Sequence, residues 1–501
     1  MDRRAFLKLA AMSSMGFGLT CATGPALARG IPAKDFPGGG PGRCFVPPTG
    51  VIRIPVKDMF KVGPGPSSSH TLAPLRIASH FRQSVAGLPA ADLERAARFE
   101  ARLFGSLSAT GKGHRTDRAI LAGLLGQQPE TCDPAVMDRL DDPKGRFNTE
   151  INGHVFVVSQ ETIVWDAVEH SYPYCNTLIM RLLDGQSLVV LEREYYSPGG
   201  GFFLWKDQPG EQRGEPVHRF AGMTELRRAV EATGKSIPQI VLENEKAILG
   251  VDEAAVNAHL DLVLHTMTAG VDLGLKEEGM LPGPFPFYRK ARRVFAQAKA
   301  MGPGDAFMQR VSSYAIAVSE GNAAGRLAVT APTLGSAGTM PAMAYVLQRE
   351  LKLPQKALRQ GLLAAGAVGL ICKTNASVAG AEVGCQGEIG VASAMAAAMV
   401  SCATGAGPEA IELAATMALE HHLGMSCDPV GGFVLIPCIE RNAFGALKAY
   451  NAALLARSEK PGQHWEDLDR VVAAMLETGK ALPQPFKEMG TGGLGVTMVD
   501  C

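Results

Sequence analysis

The second half of the chain constrains the fold most. From about Asp305 onward strand-type patterns nearly vanish, and Ala-, Gly- and Met-rich segments follow one another. Asp305 to Ala324, Ser336 to Glu350, Gln355 to Lys373 and Glu388 to Ala403 carry apolar residues at helical spacing, and Pro408 to His422 and Glu440 to Arg457 continue the pattern. Small residues on helix faces let axes approach closely, so residues 279–501 are expected to form a compact all-helical domain with a C-terminal tail. Ile389 to Gly407 runs nineteen residues without a charge, long enough to cross a bilayer. It holds Ser393, Ser401, Thr404 and three glycines but no leucine or phenylalanine, and it follows the polar run Cys385-Gln386-Gly387-Glu388 directly. A buried bundle helix is the expectation, with no stable membrane span.

The first half reads differently. Within residues 1–28, Arg3-Arg4-Ala5-Phe6-Leu7-Lys8 precedes a weakly apolar stretch ending in Ala26-Leu27-Ala28, the pattern of a twin-arginine signal cleaved after Ala28. This predicts engagement of the Tat export machinery and a periplasmic protein, with a cytoplasmic one as the alternative. Residues 29–50 are rich in Gly and Pro and read as a flexible linker. Over 51–221 helix and strand signals mix: Leu72 to Ser84 and Leu88 to Ala101 read helical, whereas Val155 to Val158, Leu178 to Leu183 and Ser187 to Leu191 read as strands. Residues 222–278 read as a charged helical connector. The fold class is therefore α+β, a mixed α/β domain followed by an all-helical one.

Lys+Arg and Asp+Glu both number 49, leaving no net field to draw nucleic acid or an anionic membrane. A small-molecule ligand is expected. Ten cysteines in 501 residues are too sparse for a disulfide scaffold. Four of them, Cys385, Cys427, Cys438 and the terminal Cys501, stand in Gly/Pro-rich polar surroundings. Their spacings are too long and irregular for a zinc ribbon or a ferredoxin run, so a shared metal site must be assembled from distant loops. Cys438 lies just before a helix, where the dipole favours a thiolate. A thiol at the chain end could act as a detachable ligand. Cys44, Cys132, Cys175, Cys372 and Cys402 lack such surroundings and read as structural, and an oxidising periplasm is a hostile destination for free thiols.

Two clusters offer donors and an imidazole. In the run from Lys61 to Thr71 a Gly/Pro turn leads through Ser67, Ser68 and Ser69 to His70 and a helix. Serines there cap free N–H groups, and those same groups bind a carboxylate or phosphate. A lone SSSH would read only as a cap with a surface histidine. Gly105 to Asp117 contains Gly111-Lys112-Gly113-His114, which lacks P-loop spacing; His114 reads as a general base or a polar loop residue. Ser197-Pro198-Gly199-Gly200-Gly201 reads as a tight turn. Asn375 and Ser377 lie in a polar interruption between two apolar helices.

Taken in order, GPSSSHT at 65–71, GSLSATGKGH at 105–114, YYSPGGGF at 195–202, TAPTLGSAGTMP at 330–341, NASVAGAEVGCQGE at 375–388, EHHLGMSCDPV at 420–430 and IPCIERNA at 436–443 resemble the blocks of the iron-sulfur-dependent bacterial L-serine dehydratases, or L-serine ammonia-lyases, in their single-chain form. The resemblance spans nearly the whole mature chain. It implies a four-iron four-sulfur (4Fe-4S) cluster on Cys385, Cys427 and Cys438, capped by Cys501 in the resting enzyme. It also implies an N-terminal domain like an allosteric serine-binding module, a homodimer, and a place in amino-acid catabolism. The implied reaction eliminates water from L-serine, with iron as Lewis acid, His114 or His70 as base, and Ser67, Ser68, Ser69, Asn375 and Ser377 as substrate-binding residues. Tyr174 stands where the family carries histidine, Leu334 and Leu435 stand where polar residues are expected, and the leader departs from a cytoplasmic family. Elimination from L-threonine or L-cysteine, a non-catalytic amino-acid-binding protein and a zinc-binding protein are the alternatives.

Overall fold

The computed structural model describes residues 45, 47–208, 213–460 and 462–498; the leader, most of the linker, Cys44 and Cys501 lie outside them. Nine strands appear in chain order: β1 Val62–Pro64, β2 Ala96–Phe104, β3 Phe147–Ile151, β4 His154–Val158, β5 Ile163–Trp165, β6 Thr177–Asp184, β7 Val189–Tyr196, β8 Leu204–Trp205 and β9 Leu327–Val329. Five of them form a sheet ordered β5-β2-β6-β7-β8, antiparallel except for β2 with β5. β3 and β4 form a separate hairpin whose tip is Asn152-Gly153, both at positive φ, the dipeptide that a two-residue turn demands. The helices Ala73–Ala86 and Thr116–Leu124 belong to the same core as the sheet, with Phe81, Phe99, Leu103, Ile120, Leu178 and Tyr195 buried together.

The expectation of a helix over Leu88 to Ala101 fails in its second half. A short helix covers Ala90–Arg95 and the chain then becomes β2. From Arg98 the residue period is two: Phe99, Ala101 and Leu103 enter the core, while Arg98, Glu100 and Arg102 alternate with them. Their charges find partners on the strand itself and beyond it. Glu100 pairs with Arg102 at 2.7 Å and Arg181 of β6 at 3.2 Å, and Arg102 reaches Asp166 at 3.0 Å. An isolated helix offers no such partners.

The helical half has Val391–Ala403 at its centre, packed against Gln355–Asn375, Pro408–Glu420 and Cys438–Ser458. Every residue of the central helix except Cys402 is buried. Small residues provide the close approach: a Cβ added at Gly361 would lie 3.0 Å from the Met399 carbonyl, and one at Gly369 only 2.9 Å from Met395 Sδ. Among the described residues no helix is long and apolar enough to cross a membrane. The connector forms Met223–Thr233, Ile237–Leu249 and Glu253–Gly274, whose Leu226, Ile240, Val263 and Met267 join the same core.

The segment from Ile52 to Val62 also enters this core. Ile52, Val56, Met59, Phe60 and Val62 pack there, and β1 pairs with β9 through Val62 and Val329. Glu245 fastens the segment by accepting the N–H groups of Val56 at 2.6 Å and Lys57 at 2.9 Å. Glu245→Ala orphans both donors and is expected to cost about 2–4 kcal/mol, read as a lower urea midpoint at constant slope. Burial pushes the Glu245 carboxyl up to about 7. The folded state therefore holds a proton that the unfolded state releases at ordinary carboxylate pH, and this contribution to stability falls as pH rises through that window. The gap between wild type and variant is expected to narrow from about pH 4.5 to about pH 7.

Candidate active site

Three thiols reach one cavity from three places in the helical half. Cys385 follows Gly384, which sits at φ +76°, where an added Cβ would lie 2.6 Å from the Met425 carbonyl, so only glycine makes this turn. A π-helical turn, Gln386–Gly390, then feeds the central helix. Such turns concentrate at functional sites. The Gln386 side chain donates to the Val383 carbonyl at 2.8 Å and accepts the Gly424 N–H at 3.0 Å, tying this turn to the loop that carries Cys427. Cys427 is clamped by the tail: its N–H donates to the Phe486 carbonyl at 2.7 Å, and its carbonyl accepts the Glu488 N–H at 2.7 Å. Cys438 opens the helix Cys438–Ser458. Ser67, His114, Glu388 and Glu488 line the same cavity.

Glu388 Oε2 lies 3.8 Å from Cys385 Sγ and 3.7 Å from Cys427 Sγ. The three donor atoms fall within 4.8 Å of one another. The Cys385 contact and burial raise the Cys427 thiol well above its usual range, and depth in the protein together with Cys385 does the same for Cys438. Burial and the neighbouring Glu488 push Glu388 up to about 7, while burial and Cys385 push Glu488 up to about 8. Three thiols and two carboxyls thus repel one another's charge, and a bound cation relieves that repulsion. Sulfur donors suit zinc, copper(I) or iron-sulfur groups. A Cβ at Gly380 would lie 2.8 Å from Glu388 Oε2 and 3.0 Å from Cys427 Sγ, so space beside the donors depends on this glycine. The residues present fit a thiolate-held metal group.

The opposite wall comes from the α/β half. Ser67 Oγ accepts the His70 N–H at 3.2 Å, starting a buried π-helical turn, Ser68–Leu72, that runs into Ala73–Ala86. Thr71 Oγ1 donates to the His114 carbonyl at 2.6 Å, joining the two sequence clusters, and the His70 and His114 rings stand 4.5 Å apart. His114 Nδ1 lies 3.0 Å from the Thr110 carbonyl. A carbonyl only accepts, so Nδ1 carries the proton and Nε2 the lone pair. Burial pushes His114 down to about 4 despite the Thr110 contact, and burial with His114 nearby takes His70 well below its usual value. Both rings are neutral at physiological pH.

His70 is enclosed on both ring nitrogens. Nδ1 meets Ser69 Oγ at 2.8 Å and Glu488 Oε1 at 3.5 Å, and Nε2 meets Ser106 Oγ at 3.1 Å and Thr110 Oγ1 at 3.2 Å. His114 lines the cavity, while His70 stands behind it. Ser67 lines it too, and Ser68 and Ser69 are buried beside it. Asn375 instead donates to the Ala221 carbonyl at 2.8 Å, and Ser377 Oγ accepts the Ala379 N–H at 3.1 Å; neither lines the cavity. Tyr174 stacks near Tyr196, with ring centroids 5.1 Å apart, and the Cys175 carbonyl accepts from His170 Nε2 at 3.2 Å. Leu334 and Leu435 are buried, and the thiols of Cys132, Cys175, Cys372 and Cys402 are free and do not line the cavity. Cys501 lies outside the described residues.

Sequence reasoning missed Glu388 and Glu488. Glu388 had a signal, since three residues after Cys385 on a helical turn share a face. Glu488 had none: it sits at φ 61° in a turn-rich tail and owes its place to the pairing with Cys427.

Thiols, buried carboxyls and a neutral imidazole around one cavity are the equipment of a metal-dependent acid–base enzyme. Residues 232–495 match the serine dehydratase alpha chain family, and residues 55–208 match the serine dehydratase beta chain family. The L-serine dehydratase of Streptomyces coelicolor is 40% identical over 466 residues, covering 90% of this chain and 100% of that protein. L-serine dehydratase 2 of Escherichia coli is 37% identical over 89% of this chain and 100% of its own. The L-serine dehydratase of Helicobacter pylori is 35% identical over 88% and 98%. The chain belongs to the serine dehydratase family, with the beta-chain and alpha-chain regions on one polypeptide. Those regions coincide with the α/β and helical halves, as the expected α+β fold requires.

Proposed function

We propose that this protein is an L-serine ammonia-lyase that converts L-serine to pyruvate and ammonia, with a four-iron four-sulfur cluster held by Cys385, Cys427, Cys438 and Cys501. The observation that carries the reading is one cavity lined by three thiols together with Ser67 and a neutral His114 whose Nδ1 is held by the Thr110 carbonyl. The names of the relatives support L-serine as substrate. When bound, such a cluster supplies a Lewis acid that eases departure of the β-hydroxyl.

The chain's own residues supply the rest. Ser67 and the N–H groups of the turn behind it receive the substrate carboxylate, and neutralising that charge makes the α-proton more acidic. His114 Nε2 takes the α-proton, its own proton being fixed at Nδ1 by Thr110. His70 acts through others, holding Ser69 and Ser106 in place with both ring nitrogens. The buried walls exclude water until aminoacrylate leaves and hydrolyses to pyruvate and ammonia.

Cys501 is assigned as an exchangeable fourth thiol. Its support is the described course of the tail, which pairs Lys487 with Cys427 and places the Leu494 N–H 2.9 Å from Asp428 Oδ2. The leader is assigned to Tat export of the folded, loaded protein to the periplasm, on the strength of Arg3-Arg4 and Ala26-Leu27-Ala28, and the protein is assigned as a homodimer. A fusion of residues 1–35 to a folded reporter should place it in the periplasm; retention in the cytoplasm ends the export assignment.

The decisive test is anaerobic reconstitution with iron and sulfide, followed by pyruvate assays on L-serine, L-threonine and L-cysteine. Brown colour and pyruvate from L-serine are expected. A colourless zinc protein, or serine binding without pyruvate, would overturn the reading.

A further inference from the structure

An amino-acid substrate differs from a hydroxy acid by its α-ammonium, and the cavity must meet that charge with something. We infer that Glu488, carried in by the C-terminal tail, receives the α-ammonium of the substrate and so selects amino acids over 2-hydroxy acids. The inference rests on the reading of this cavity as the L-serine site.

L-serine presents four different substituents at its α-carbon. The lining presents four matching groups: Ser67 for the carboxylate, the thiols that would hold the metal for the hydroxymethyl arm, His114 for the α-proton, and a carboxylate for the ammonium. Among the described residues neither lysine nor arginine lines the cavity, so no side-chain cation there competes with the substrate ammonium. Of the two acids, Glu388 is committed elsewhere, accepting from Thr333 Oγ1 at 2.8 Å and facing the Cys385 and Cys427 sulfurs.

Glu488 stands on the other side. Its Oε1 makes two long contacts, 3.5 Å to Ser69 Oγ and 3.5 Å to His70 Nδ1, next to the serine turn that takes the carboxylate. Beyond these the carboxyl accepts a backbone N–H from Ala381, and among the described residues no sulfur hydrogen-bonds to it. Ammonium and carboxylate are neighbours on one carbon, so their receptors must be neighbours too. The backbone aims the side chain firmly: the Glu488 N–H is fixed on the Cys427 carbonyl at 2.7 Å, and the residue adopts φ 61° to point inward. Its side chain is 7% exposed, so a charge-assisted contact there is sheltered from water.

Glu488→Gln keeps the shape and the Ser69 contact but removes the charge. Steady-state kinetics on the reconstituted variant should show KM for L-serine raised about ten- to hundredfold, while competitive inhibition by L-glycerate, which carries hydroxyl in place of ammonium, shifts less than about twofold. Visible absorbance should match wild type. An unchanged KM for L-serine, or a parallel loss of serine and glycerate affinity, overturns the inference. If the glutamine variant loses its absorbance, Glu488→Asp takes its place: a raised serine KM with unchanged glycerate inhibition supports the inference, and parallel change overturns it. Wild-type protein that releases no pyruvate from L-serine would instead sink the functional reading beneath it.

Discussion

If the thiols hold the proposed cluster, Cys427→Ala is expected to yield a folded protein that lacks it, with pyruvate formation reduced about a thousandfold or more, because a Lewis acid contributes several kcal/mol to such an elimination. Cys427 has the most to lose. Its sulfur is one of the three donor atoms that already converge, and its backbone binds the tail on both sides. Iron and sulfide content, visible absorbance and far-UV circular dichroism separate loss of cluster from loss of fold. Cys385→Ala and Cys438→Ala should behave alike. Cys501→Ala should retain the cluster when made anaerobically but bleach faster in air, and equal bleaching rates would remove its role as a cap.

His114→Asn is expected to lower kcat about 10²- to 10⁴-fold, the usual contribution of a positioned base, with cluster absorbance and KM for L-serine little changed. Asparagine can still donate to the Thr110 carbonyl, so the loop should hold. A fall in KM-linked affinity without loss of kcat would assign the ring to binding instead. The pH profile adds an independent check. Burial holds the His114 pKa at about 4, below the ordinary histidine value, so the neutral base persists as pH falls and kcat, measured with the Glu488 carboxylate already paired with the substrate ammonium, should decline only on approaching that value. An acid limb near 6.5, the ordinary histidine value, would point to an exposed imidazole in its place.

Much of the fold was legible because its signals are local. The Ala/Gly-rich helices announce themselves by composition and period, and Gly361 and Gly369 sit where those helices touch. β2 was less legible because its strand character depends on Arg181 and Asp166, distant partners for its charges. In the site, cysteines at turns and histidines beside glycines stood out by chemistry, and Thr71 bonding to His114 shows why the two clusters matter together. Asn375 and Ser377 carried the same local polarity yet serve the backbone of Ala221 and Ala379, a distinction only packing makes. Glu488 was invisible because its position is fixed from across the fold, by Cys427.

The pairing of the tail with the Cys427 loop has a consequence for the order of events in synthesis. Translation runs from the amino end, so of the residues that line the cavity Ser67 and His114 are made first, the cysteines of the bundle later, and Glu488 after them. The tail therefore closes onto the Cys427 loop only after every other wall of the cavity has been made.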